Sequence, residues 1–168
     1  MPEQPAVVWD PNQRGIDYLT SGRPDRNPLE RVAPSLPHAW RLVAESRRHL
    51  SSAATVVSAG GTDADWSGAF VMAYDAARKA LTAVLAAQGL RARGGDGGHT
   101  VLLDAVRPQF PDDRRTLQRF DWMRQVRNRV AYPDLDTPTA TSDDVDAAIP
   151  AAAAIVDLTQ RYLDWISD

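Results

Sequence analysis

Apolar residues recur at three- and four-residue spacings through most of the chain, and no segment alternates with period two, so the elements predicted are helices. Leu36, Trp40, Val43, Leu50, Ala54 and Val57 form one apolar stripe, which predicts a first helix over 37–59. Ser35 stands as its cap, Pro37 suits its first turn, and Gly60-Gly61 ends it. A second helix is predicted from Thr62 or Asp63 to Gln88, where Phe70, Tyr74, Ala77, Leu81, Val84 and Gln88 keep a near-heptad spacing and Gly89 is the stop. The run Arg91-Ala92-Arg93-Gly94-Gly95-Asp96-Gly97-Gly98-His99 reads as a flexible glycine loop. A short third helix follows over 100–106, closed before Pro108, and a fourth over 111–131. Pro133 pushes Tyr132 out of the helical region, which ends the fourth helix and opens a Pro/Asp/Thr turn over 133–141. Thr141-Ser142-Asp143-Asp144 is a capping signature for a last helix from Ser142 to Ile166, which Pro150 is expected to kink or restart.

The fold class that follows is all-α: an up-and-down four-helix bundle over 37–168, with one short extra helix and an N-terminal arm over 1–36. The arm is rich in proline, glycine and charge. Its apolar anchors Val7, Trp9, Ile16, Tyr18 and Leu19 predict that it lies on the body, with a short helix near 13–19.

Composition narrows the chemistry. The 168 residues include no cysteine, which excludes disulfide scaffolds, thiolate zinc sites and cysteine nucleophiles. The N-terminus has no basic start followed by an apolar run, and no stretch approaches the ~18–20 apolar residues of a membrane span, so the expectation is a cytoplasmic domain with no membrane contact. The net charge of −3 is unevenly distributed: zero over 1–90, +4 over 91–133 and −7 over 134–168. A mildly acidic total thus hides a basic middle, a local anion-binding surface that net charge does not reveal. Basic residues are 18 Arg and one Lys, Lys79, and arginine pairs bidentately with phosphate where lysine does not. The acidic last helix is expected to shield the basic surface within the monomer.

On the fourth helix, Trp122, Met123, Val126 and Val130 share one arc, the predicted core face. Asp121, Arg124, Gln125, Asn128 and Tyr132 share the opposite, polar arc. Arg127 lies on the border, where its stem can rest on the core and its guanidinium reach an edge at the helix C-terminus. Arg119, Arg124 and Arg129 are candidate RNA-contacting residues on this helix. The three histidines, His38, His49 and His99, are far apart and lack ligand spacing, so no metal site is predicted. The Asp pairs at 112–113 and 143–144 sit at helix starts, where capping explains them. The glycine loop lacks the Lys and Ser/Thr of a P-loop and follows a helix, so no nucleotide cofactor is predicted either. His99 reads as a capping or packing histidine, with an auxiliary proton-transfer role as its functional alternative.

The segment Arg127-Asn128-Arg129-Val130-Ala131-Tyr132-Pro133 resembles the signature of the HEPN family of small α-helical proteins: an Arg, a polar residue that is usually Asn, and a His shortly after, at the end of a long helix. The stretch Ala73-Tyr74-Asp75-Ala76-Ala77-Arg78-Lys79-Ala80-Leu81, then Gly89 and Gly98-His99, is similar to the family's second helix and its glycine-His stretch. The resemblance covers roughly residues 37–166. It implies a bundle that forms a homodimer through the motif helices. In active members, two Arg and two His then share a cleft that cleaves RNA without a metal. Arg stabilises charge on the scissile phosphate, His moves the proton and Asn orients the pair.

This chain departs from the signature where the proton is moved: Tyr132 stands in the place of His. An unperturbed tyrosine, with a pKa of about 10, is only about 0.1% ionised at pH 7 and is a poor general base. A phenol at that position can instead bind a phosphate or stack on a base. No proton-transfer group is therefore expected beside Arg127. The reading is a HEPN-like protein with a degenerate ribonuclease site formed by Arg127, Asn128 and Tyr132, which binds RNA or a protein partner. The resemblance makes that partner a nucleotidyltransferase-like or antitoxin subunit of a toxin–antitoxin or defence pair. An active metal-independent endoribonuclease and a purely structural helical dimer are the alternatives.

Overall fold

The hub of the fold is a helix that is apolar almost all the way round, and such a helix is stable only when other elements enclose it. In the computed structural model, which describes residues 7–22, 27–94, 98–132 and 139–168, this is α3 (Trp66–Ala87). Ala73, Ala76, Ala77, Ala80 and Ala83 are fully buried along it, so neighbouring backbones come close: Thr159 donates its hydroxyl to the Ala80 carbonyl across a 3.3 Å contact. Around α3 pack α2 (Leu36–Gly60), α6 (Ser142–Ser167), α5 (Arg114–Ala131) and the short α4 (Gly98–Val106), and α1 (Gln13–Thr20) lies in the N-terminal segment. The result is the all-α bundle that the spacings predict. Residues 1–6, Pro24, the centre of the glycine loop at 95–97 and most of the predicted turn, 133–138, lie outside the described residues.

Two of the caps read from sequence are observed, while Asp113, expected to cap α5, makes no cap bond and pairs instead with Arg161 at 3.6 Å. Ser35 accepts from the His38 backbone N–H at 3.3 Å, and Thr141 and Asp144 form a reciprocal capping box on α6. Asp65, not Thr62 or Asp63, caps α3, because Gly61–Asp63 form a separate 3-10 turn. Two further 3-10 turns, Arg107–Gln109 and Pro111–Asp113, precede α5.

Two features depart from the sequence reading. First, α6 runs unbroken through Pro150. Pro150 and Asp146, whose carbonyl loses its helical donor, both lie on the exposed side of the helix, where an unpaired carbonyl costs little. Second, two three-residue strands, β1 (Leu29–Arg31) and β2 (Leu90–Ala92), pair antiparallel with Glu30 opposite Arg91. Three residues are too few to register as alternation. The pairing is extended by Val32 N–H donating to the Gly89 carbonyl at 2.8 Å. Gly89 has φ +72°, and a Cβ there would stand 2.7 Å from the Val32 carbonyl oxygen, so the residue that ends α3 also admits β1.

The N-terminal segment joins the bundle through a buried polar network. Gln109 is fully buried; its Oε1 accepts from the Trp9 indole at 2.8 Å and from the Gln88 amide at 2.7 Å, while its own amide donates to the Ala105 carbonyl at 2.8 Å. Gln88 also donates to the Tyr162 hydroxyl at 2.9 Å, and the Asp10 N–H donates to the Gln109 carbonyl at 2.8 Å. A buried donor left without a partner costs about 1–3 kcal/mol. Gln109→Leu orphans the Trp9 indole and a Gln88 donor, so urea denaturation should show a loss of about 1–3 kcal/mol; an unchanged midpoint would contradict the network.

Candidate functional site

Four residues of α5, Leu117, Phe120, Met123 and Val126, are buried at three-residue spacing and hold the helix on the bundle. Trp122 and Val130, predicted as core, are only half-buried. Trp122 packs edge-on against Phe70 at 5.8 Å, while the Arg119 guanidinium lies 5.2 Å from its ring centre on the outer side. Arg115, Gln118, Arg119, Asp121, Trp122 and Gln125 line an open groove of about 710 Å³. Arg107, Arg114 and Arg115 border a second recess of about 530 Å³ along the same helix. The groove-lining Trp122 was legible only as a core residue, since periodicity does not separate a buried indole from one lying at the edge.

Further along α5, Arg124 donates from Nε (3.1 Å) and Nη2 (2.9 Å) to one Asp121 carboxylate oxygen, and Gln125 donates to the other at 2.9 Å. These bonds, led by Arg124, hold the Asp121 carboxyl below the usual carboxylate range. Arg127 is half-buried; it lies not on the predicted border but one turn past Met123 and two past Phe120 on the buried face, and among the described residues no carboxylate pairs with it. Asn128 and Arg129 are exposed, and Tyr132, 73% exposed, closes the helix with its N–H on the Asn128 carbonyl at 3.0 Å. Among the described residues no α5 arginine pairs with an α6 carboxylate; Asp157 of α6 pairs instead with Arg47 of α2 at 3.3 Å.

One stripe of α5 carries Phe120, Arg124 and Arg127, and one stripe of α3 carries Tyr74 and Arg78. The stripes meet where Tyr74 stacks on Phe120, with centroids 5.3 Å apart and planes 14° apart. His99, in the first turn of α4, lies against the same tyrosine, 5.6 Å and 16°, and its Nδ1 shares a hydrogen bond with the Tyr74 hydroxyl. Three elements thus put one ring each into a single stack. Burial holds His99 below its ordinary pKa, and the charges of Arg78, Arg127 and Arg124 add to the effect against the opposing pull of Asp75, which pairs with Arg78 at 3.0 Å. Burial pushes Tyr74 up to about 12, with the same arginines opposing. His99 therefore stands in the field of Arg127, where the sequence reading expected no proton-transfer group. Residues 28 positions apart in sequence give no signal of that proximity.

A histidine kept neutral by its surroundings makes the fold acid-sensitive. The folded chain holds His99 deprotonated to lower pH than the unfolded chain does, so its contribution to stability is present above about pH 6.5 and is lost as pH falls from there through its lower folded pKa. His99→Gln should flatten this acid loss when denaturation is compared at about pH 7.5 and about pH 5.5. An acid loss of the same size in the variant would contradict the assignment.

Among the described residues no helix is long and apolar enough to cross a membrane, and no group of three or more His, Asp or Glu side chains gathers as metal ligands. No curated protein and no solved structure matches the chain. The HEPN domain, by contrast, matches residues 39–162, from the first turns of α2 to Tyr162 on α6, with α3, α4 and α5 between them. The chain belongs to the HEPN family, whose domains are associated with ribonucleases and toxin–antitoxin systems and often pair with nucleotidyltransferases.

Proposed function

We propose that this protein binds RNA along α5, as a HEPN protein whose motif has lost its histidine. The observation that carries this reading is the groove in which Arg119 covers Trp122 beside Arg115. A stacking surface interleaved with arginines suits a single strand, since the guanidiniums take the phosphates and the indole takes a base. The same helix continues through Arg124, Arg127, Asn128 and Arg129 to the exposed Tyr132, a second aromatic surface at its end.

The motif residues Arg127, Asn128 and Tyr132 hold the RNA backbone, with Arg127 as the phosphate ligand. A homodimer through α5 sets a second copy of these residues opposite the first. With Tyr132 in place of the motif histidine, the end of α5 itself is a binding surface. The family's pairing with nucleotidyltransferases supports a protein partner of that class, or an antitoxin, and a place in a toxin–antitoxin or defence pair.

Fluorescence anisotropy with a single-stranded RNA at about 50 mM salt should show binding that weakens steeply with added salt. Trp122→Ala should weaken it about tenfold, the loss of one stacked base. Arg119→Ala and Arg127→Ala should each reduce the salt slope by about 1. No binding at about 50 mM salt would overturn the reading and leave a protein-binding or structural dimer.

A further inference from the structure

We propose that the cavity between the N-terminal segment and the bundle is a binding site for a small aromatic acid: a planar, mostly apolar molecule with a carbonyl acceptor at its inner end and a carboxylate at its outer end. The site stands apart from the RNA-binding reading, since no residue of α5 lines it.

The cavity measures about 460 Å³, within the range of about 300–1,000 Å³ that holds small molecules. Its wall is largely apolar. Trp9 and Ile16 come from the N-terminal segment, while Leu36 opens α2, Ala87 closes α3 and Ile166 stands in the last turn of α6. Most of these residues lie outside the span 39–162 over which the HEPN domain matches. The Trp9 ring is tilted against Tyr162, 5.8 Å between centroids, and its N–H is taken by Gln109, so what it has left to offer is apolar surface. A flat ring suits such a wall.

One buried donor beside this cavity is left over. Gln109 has a single possible orientation. Its amide nitrogen meets the Ala105 carbonyl, which only accepts, and its amide oxygen meets the Trp9 indole, which only donates. That oxygen also meets Gln88 at 2.7 Å, so the Gln88 atom facing it is the amide nitrogen. The second hydrogen of that nitrogen goes to the Tyr162 hydroxyl at 2.9 Å. The phenol oxygen is thus the acceptor, and among the described residues no atom accepts its own hydrogen. Tyr162 is 2% exposed, and burial raises its pKa, so the hydrogen is present at neutral pH. A buried hydroxyl normally finds an acceptor, and Tyr162 and Gln88 both line the cavity. A lone water can take the hydrogen but leaves the apolar wall uncovered. A carbonyl on a ring does both.

The outer end is set by Arg31, an exposed residue that also lines the cavity. Among the described residues its one side-chain hydrogen bond runs from Nη2 to Asp17 at 2.7 Å, which leaves the rest of the fork for a carboxylate. One guanidinium, already shared with Asp17, suits one carboxylate and not the several charges of a nucleotide.

Calorimetry on the full chain should compare para-acetylbenzoate, which carries both groups, with para-ethylbenzoate, which lacks the acceptor. The first should bind with a Kd of about 1 mM or tighter, and the second about tenfold more weakly, the loss of one hydrogen bond to a buried donor. In NMR spectra the Trp9 indole signal should shift during the titration and the Trp122 signal should stay. Tyr162→Phe should bind the two probes equally well. Arg31→Gln, changed at an exposed side chain, should weaken both probes by the same factor, about fivefold, and keep the preference for the acetyl group. No binding of para-acetylbenzoate at about 1 mM, equal binding of the two probes to the wild type, or shifts at Trp122 with Trp9 unmoved would each overturn the proposal.

Discussion

The enclosure of α3 is the constraint on which the rest of the structure depends. A helix with Ala, Phe, Leu and Val on nearly every side has no stable solvated state, so α2, α4, α5 and α6 must close around it. Its few polar residues then emerge only at the seams. Lys79 emerges toward α2, where Glu45 meets it at 2.6 Å, and Tyr74, Asp75 and Arg78 emerge toward α4 and α5. The candidate site is therefore a consequence of packing: the seam where α3 runs out of apolar surface is the seam to which α5 brings its arginines.

The aromatic stack converts that seam into chemistry. Phe120, Tyr74 and His99 each belong to a different helix, and together they fix a titratable ring whose charging burial opposes first and the fields of Arg78, Arg127 and Arg124 oppose further. Like charges gathered this closely repel, and the two i,i+3 carboxylates Asp75 and Asp121 relieve much of that repulsion within their own helices. The histidine is kept neutral because burial and the remaining positive field both oppose its charging.

Much of the fold was legible in the sequence. Local signals carried it: the capping residues Ser35 and Thr141, the stop at Gly89 and the apolar stripe of α3 all act over a turn or two of chain, whereas the stripe read on α2 is offset from its buried face of Ala39, Val43, Ser46 and Ala53. What was illegible depended on tertiary contacts. The β1–β2 ribbon is three residues long on each side and exists because Gly89 lets the N-terminal segment approach the end of α3. Pro150 is tolerated because its side of α6 is exposed, and Trp122, edge-on to Phe70, is only half-buried and lines a groove. For the site, the motif helix was readable from spacing, but its buried face was read a third of a turn off, and His99 was separated from it by a short helix and a turn whose path no periodicity records.

The central claim is that His99 and Arg127 share one electrostatic site, and NMR titration of His99 in the Arg127→Ala variant tests it most directly. Removing a cation that opposes protonation raises a histidine pKa, so the His99 midpoint should move up in Arg127→Ala and stay in place in Arg129→Ala, whose side chain is exposed and plays no part in that field. A His99 midpoint that is the same with and without Arg127 would contradict the account.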